Sequence, residues 1–167
     1  REKEAWVSEV LREWGSCGRI ALVDGEPVGC ILYVPAGFVP GAAAFPTAPV
    51  SPDAVLLTTA WVHPDHAGGG IGRLLVQGMA RDLVGRDAVR AVEAFARTGR
   101  PSRGACPTCV LPADSLRRVG FKTVRPHARW PRAGRSRGRC RARRRRTPPP
   151  TEHPHPRGVP RAHTPEQ

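Results

Sequence analysis

No apolar run in this 167-residue chain approaches the ~18 residues of a membrane span, and no signal peptide opens it. The expectation is therefore a soluble, cytoplasmic protein. The chain begins with Arg1 rather than Met, so a further N-terminal portion is expected to precede it. Five cysteines (17, 30, 106, 109 and 140) make an odd, scattered set, which argues for reduced thiols and against a disulfide framework. Cys106-Pro-Thr-Cys109 lacks a second pair. His63 and His66 would have to complete a zinc site, and a loop with incidental cysteines is the plainer reading, so no metal is expected. Tyrosine occurs once, at Tyr33.

Carboxylates are scarce beside arginines, with 14 Asp+Glu against 27 Lys+Arg and a formal charge of +13. The excess is local. From Arg125 onward 13 Arg face only Glu152 and Glu166, whereas residues 1–124 are nearly balanced. A basic partner surface on the folded part does not follow from the overall charge. Residues 132–167 are Arg, Gly, Pro and His with no apolar run, a composition that cannot offset its ordering entropy. The expected organisation is one folded domain over 1–131 and a disordered basic, Pro-rich tail over 132–167. The run from Arg141 to Arg146 is a polybasic patch able to hold nucleic acid nonspecifically.

Periodicity places the elements. Trp6, Val7, Val10, Leu11 and Trp14 recur at helical spacing, with Gly15 as a stop. Two apolar runs within Arg19 to Val34 flank Asp24-Gly25, a hairpin signal. Pro35 to Asp53 is a long, nearly uncharged Pro/Ala/Gly segment, open to two readings: a functional loop or a disordered excursion. Val55 to Val62 is a strand. In the helix from Ile71 to Arg86, Ile71, Leu75, Met79 and Leu83 form a stripe widened by Leu74 and Gly78. Ala88 to Ala96 is the next strand, giving a strand–helix–strand crossover. Arg97 to Pro112 reads as loop, and Ala113 to Phe121 as a short helix entering a further strand.

Between the strand ending at Val62 and the helix from Ile71 stand glycines 68, 69, 70 and 72. The first-turn N–H groups of a helix lack intrahelical partners, and glycines let a ligand approach the backbone. Such a junction is an anion cradle, with phosphate as its usual guest. Arg73 in the first turn is disfavoured by the helix dipole unless an anion is present.

Val62-His63-Pro64, a short link, then Gly70-Ile71-Gly72-Arg73-Leu74-Leu75 resembles the pyrophosphate loop of the GNAT superfamily of N-acyltransferases. The two glycines match at Gly70 and Gly72, and the family's Arg or Gln position is Ala67. The resemblance extends to the Gly120-Phe121 entry after the short helix. It implies an α/β (α+β) fold with a mixed central sheet flanked by helices, as monomer or homodimer. It implies acetyl-CoA as cosubstrate and a primary amine of a small molecule or peptide as acceptor. The amides of Ala67, Gly68, Gly69, Gly70, Ile71, Gly72 and Arg73 would then hold the pyrophosphate, and the backbone of Ala60, Trp61 and Val62 the pantetheine arm. The fold normally ends in a further strand, which the tail composition does not supply.

Two side chains are candidates for proton transfer. Glu93 shares a strand face with Val89, Ala91 and Phe95, and a carboxylate among apolar neighbours has a raised pKa that suits a general base. The other reading is an edge position or a salt bridge with Arg90 or Arg97. Much of the superfamily uses a Tyr on the short helix as general acid. None is present here, and Ser115 or Cys109 would stand in for it. Ala67 and the missing acid also fit a CoA-binding protein without catalysis, and the tail fits a nucleic-acid binder.

Overall fold

The structure, a computed structural model, describes residues 2–100 and 110–136. The first helix, α1 (Glu2–Glu13), stops where Gly15 adopts φ +93°, a left-handed turn that favours glycine. The strands β1 (Gly18–Val23) and β2 (Glu26–Pro35) form the expected hairpin. Asp24 and Gly25 both take positive φ in its turn, as a two-residue hairpin requires. There follow β3 (Ala54–Val62), α2 (Ile71–Val84), β4 (Ala91–Arg97), the two-residue β5 (Leu111–Pro112), α3 (Ala113–Arg118), β6 (Lys122–Arg125) and β7 (Arg132–Ser136).

Seven strands make one mixed sheet in the order β1-β2-β3-β4-β7-β6, with β5 beside β4. The β3–β4 and β4–β5 pairs are parallel and the rest antiparallel. On one face α2 and α3 bury Leu75, Met79, Leu83 and Leu116 against Val55, Leu57, Ala94 and Ala96. At roughly 1.5–3 kcal/mol for each large side chain, this is the main core. The other face is covered in two patches. Val10 of α1 packs with Cys17 and Val34, while segment 36–53 sets Ala42, Phe45 and Val50 on Leu56 and Phe95.

Three expectations are corrected. Segment 36–53 is no excursion: it contains two 3-10 turns, Ala36–Phe38 and Pro40–Ala44, and Phe45 stacks on Phe95 with ring centroids 4.2 Å apart. On α2, Val76 joins the buried face, and Leu74 is 55% exposed. A four-residue spacing drifts by about 40° per step, so the stripe's true centre lies between Leu75 and Val76, with Leu74 about 150° from it. Finally, the closing strand exists. The folded part runs through Ser136, because Arg132–Ser136 pairs with β4 from Ala91↔Ser136 to Phe95↔Arg132. Its residues are small or basic, so no apolar alternation announces it. The ladder and a buried ion pair hold it instead. The remaining tail, 137–167, with its polybasic run, lies outside the described residues.

The helix α2 is fixed to the hairpin through Asp82. Its carboxylate accepts from Tyr33 Oη and Arg19 Nη2, both at 2.6 Å. Arg86, one turn on, donates to Trp14 O and Ser16 O and lies over the Trp14 ring at 3.8 Å. Gly29 allows the helix its close approach, since a Cβ there would stand 3.1 Å from Ile71 Cγ2 and 3.2 Å from Leu75 Cδ1. The N-terminus of α2 is thereby held over β3.

Candidate functional site

Pairing between β3 and β4 lasts only from Ala54↔Ala91 to Leu56↔Glu93. Beyond that point β3 follows β2 alone, and the two parallel strands part. The register shows why. Tyr33 faces Leu57 while Leu32 faces Thr59, so Thr58 is an extra residue in β3. Such a bulge bends and twists the strand that carries it. Thr58 Oγ1 donates to Leu32 O at 3.2 Å and pins the bulge to β2. The extra residue also reverses the alternation. Leu57 faces α2 before it, Ala60 and Val62 after it, and Trp61 turns outward, 37% exposed.

A cleft of about 230 Å³ opens at this parting, lined by Ala60, Val62, Gly72, Leu75, Ser115 and Leu116 among others. It lies between β3, the first turns of α2, and α3. His63 N–H donates to Val28 O. By the alternation of an antiparallel ladder, the main-chain groups of Val62 and Ala60 then face away from β2, towards the opening. Those of Trp61 face β2, so it is the weakest of the three expected pantetheine contacts. A larger hollow of about 330 Å³ lies at the other end of α2, between Met79, Leu83, Val92 and Arg135, away from the glycine turn.

At the mouth of the cleft the chain turns through Pro64–His66 into α2. Gly70 is the N-cap with φ +85°, and it has no side chain to cap the helix. Two of the seven expected donor amides are engaged: Ala67 N–H bonds to Pro64 O at 3.0 Å and Gly69 N–H to His66 O at 3.3 Å. Helical bonding begins with Leu74 N–H to Gly70 O. The amides of Gly68, Gly70, Ile71, Gly72 and Arg73 meet no acceptor among the described residues. Ala67 and Gly69 therefore drop out of the expected set of donors, and five remain. A Cβ at Gly72 would meet nothing within 4 Å, so the space before it is open. Unpartnered N–H groups at the positive end of a 14-residue helix attract an anion.

The two proton-transfer candidates do not come together. Ser115 lines the cleft. Glu93 lies on the opposite face of the sheet, 3% exposed, and is not the isolated carboxylate that its strand neighbours suggested. Its Oε2 is 3.0 Å from Arg132 Nε, and Ser51 donates to it through Oγ (2.6 Å to Oε1) and N–H (3.2 Å to Oε2). Arg132 Nε makes no aligned hydrogen bond, so that contact is Coulombic. Arg132 Nη1 donates to the carbonyls of Thr47 and Pro49. The partner is thus Arg132, not Arg90 or Arg97, and it was hidden because residue 132 was assigned to the tail. Among the described residues that line the cleft there is no carboxylate, and Asp65, in the turn at its mouth, lies 3.7 Å from His63 Nδ1. Tyr33 cannot replace the absent acid, since its hydroxyl is buried and held by Asp82. Burial first, and the Asp82 hydrogen bond second, push its pKa well up. Cys106 and Cys109 lie outside the described residues, and the described ones contain no group of three metal-ligating side chains.

The model of the acetyltransferase (GNAT) family matches residues 1–106. The chain belongs to that family. A search of curated protein sequences finds no match. Among solved structures, the fold is shared with an aminoglycoside 6'-N-acetyltransferase complexed with coenzyme A, at TM-score 0.55 and 13% identity over 82% of this chain and 81% of that one. It is shared also with a ribosomal-protein-alanine N-acetyltransferase from Brucella melitensis, at TM-score 0.53 and 18% identity over 81% and 76%. An N-acetyltransferase from Staphylococcus aureus Mu50 gives 0.54 and 12% over the same shares. At these identities the likeness carries the fold alone. As in the mixed sheet described above, this GNAT chain has helices on the face of the strands where the cleft opens. Among its described residues no helix is long and apolar enough to cross a membrane.

Proposed function

We propose that the protein transfers an acetyl group from acetyl-CoA to a primary amine by direct attack in a ternary complex. One observation carries the reading: five unpartnered amides at the start of α2 open onto a cleft between two parting strands, where open main-chain groups of Ala60 and Val62 await a partner. The residues fit the cosubstrate. The amides of Gly68, Gly70, Ile71, Gly72 and Arg73 bind its pyrophosphate, and Gly72 admits it by having no side chain. Ala60 and Val62 bond the pantetheine arm as an added strand would. The N–H of Val62 polarises the thioester carbonyl as charge gathers on its oxygen.

Catalysis by such a site is chiefly alignment. The amine nitrogen forms a bond to the carbonyl carbon, the carbon–sulfur bond breaks, and the thiolate leaves towards Ser115 or water, which returns a proton. The proton lost by the amine passes to solvent at the opening. In this reading Glu93 fixes the wall that borders the amine and does not take the proton, because three donors already surround its carboxylate.

The absence of a tyrosine on α3 favours one second reading, a CoA-binding protein without turnover. One measurement tests what the readings share, and a second separates them. Acetyl-CoA at 100 times its Kd stabilises the fold by about 2.7 kcal/mol, visible as a rise in Tm, under either. Release of free thiol in the presence of an amine panel occurs only under the first. No rise in Tm and no calorimetric uptake of CoA overturns both.

A further inference from the structure

The two edges of the sheet are built differently. β6, at one end, is four residues long, exposed throughout, and carries Lys122 and Arg125. A short, charged edge of this kind discourages pairing with another chain. β1, at the other end, is six residues long, with neither proline nor lysine. Its single charge, Arg19, is bound to Asp82 of α2 at 2.6 Å and does not guard the edge. What β1 shows to solvent is apolar: Ile20 is 67% exposed and Leu22 60%, while Ala21 between them is buried under α2.

The main chain of β1 is open in a regular pattern. Tyr33 N–H donates to Cys17 O at 2.9 Å, so Cys17 faces β2. By the alternation of an antiparallel ladder Arg19, Ala21 and Val23 do the same, the last opposite Glu26 at the hairpin turn. The N–H and C=O groups of Gly18, Ile20 and Leu22 therefore point away from the sheet. No described strand pairs with them, and of these groups only Gly18 O is engaged, by Arg19 Nη1 at 3.2 Å. A twofold-related copy placed along this edge, with Ile20 opposite Ile20, sets Gly18 opposite Leu22 and matches donor to acceptor at all three residues. Gly18 O takes its second bond through the other lone pair. The side chains agree with that register. Ile20 meets its own twin, and Leu22 lies over Gly18 of the second copy, the glycine that Leu32 already covers. Arg19 falls opposite Ala21, so no like charges are opposed.

We propose that β1 is the seam of a homodimer in which two chains pair antiparallel about Ile20 and join their sheets into one. One strand pair is a contact at the low end of specific interfaces, so association should be reversible and concentration-dependent, and it should stop at two chains because the seam uses the unguarded edge of both. Sedimentation equilibrium of the full chain reads this. Ile20→Lys and Ile20→Glu should each raise the dimer Kd at least about tenfold, since the substituted residue faces its own copy, and an equal mixture of the two variants should associate again. Circular dichroism checks that each variant is folded. In the unsubstituted chain, which needs no variant to fold, hydrogen exchange at the amides of Ile20 and Leu22 should slow as concentration rises, while Arg19 and Ala21 stay protected at every concentration. Four results overturn the inference: a monomer at every concentration, which leaves the edge to a different partner; a dimer that both folded variants form unchanged; a mixture that associates no better than either variant alone; or exchange at Ile20 and Leu22 that ignores concentration. None of them touches the acyl-transfer reading.

Discussion

Replacing Glu93 by Gln tests whether that residue is a clamp or a base. The carboxylate holds three donors from two separated segments: Ser51 Oγ–H, Ser51 N–H and the Arg132 guanidinium. Gln keeps the volume and can still accept from Ser51 Oγ at one end. Its NH2 end then confronts Ser51 N–H and Arg132 Nε, both donors, and a buried cation loses its counter-charge. Removing one partner of a buried pair costs about 3–5 kcal/mol, a large part of the 5–15 kcal/mol that keeps a domain folded. At roughly 3–4 °C per kcal/mol for a fold of this size, Tm should fall by about 9–20 °C. Glu93→Leu combined with Arg132→Met should recover part of the loss. Recovery stays incomplete because the Thr47 and Pro49 carbonyls lose their donor, at about 1–3 kcal/mol each at most. Thermal and urea unfolding read these changes, and CoA affinity, set on the other face, should hold. If Glu93→Gln melts within 2 °C of the parent while kcat collapses and is restored at higher pH, the carboxylate is a proton acceptor and the clamp argument is wrong.

Glycines 70 and 72 should separate in sign. Gly70→Ala, at φ +85°, should cost about 1–2 kcal/mol of stability. Gly72→Ala, inside α2 with open space before it, should gain up to about 1 kcal/mol in the free protein and yet weaken CoA binding about tenfold, read by calorimetry. Tyr33, the sole tyrosine, should show no phenolate absorbance near 295 nm until the fold is lost. Its pKa is raised in the folded state, so its stabilising contribution is whole below the unfolded value of 10.0 and disappears as pH climbs past it. Denaturant midpoints should therefore drop above about pH 10, and a Tyr33→Phe variant should drop less. Asp82→Asn leaves an acceptor for Tyr33 but removes the ion pair to Arg19, 39% exposed on its side chain, and should cost about 1–3 kcal/mol in urea unfolding.

The elements that carry their own pattern were legible: the Asp24-Gly25 hairpin, the glycine turn into α2, and the strand–helix–strand order. Each depends on residues near one another in sequence. What stayed hidden depends on partners far away. β7 consists of Arg132, Ala133, Gly134, Arg135 and Ser136; Gly134 lies opposite Glu93, and a Cβ there would collide with Val124, so glycine is what fits. A strand enclosed between two others can consist of small residues when its neighbours supply the bulk. Composition then reads it as tail. Arg132 and Glu93 exposed the same weakness from both ends, since the one was read as tail and the other was offered only the nearby Arg90 and Arg97 as partners until the sheet brought them together.

The Thr58 bulge is the least legible feature and the one on which the cleft depends. Leu57, Thr58 and Thr59 look like an unbroken strand, and nothing in their types shows that one of them is surplus. With strict alternation, Thr59 and Trp61 would have faced α2, and Ala60 and Val62 would have pointed away. A tryptophan would then have occupied the space beside Gly72. The shift at Thr58 places alanine and valine there instead. The same bend ends the β3–β4 ladder at Leu56, which leaves main-chain groups open for an added strand. Small side chains, open backbone and a helix N-terminus without a cap thus meet at one place through a single extra residue. The glycine turn alone would be an anion cradle on a closed surface, and it is the bulge that turns it into the mouth of a cleft.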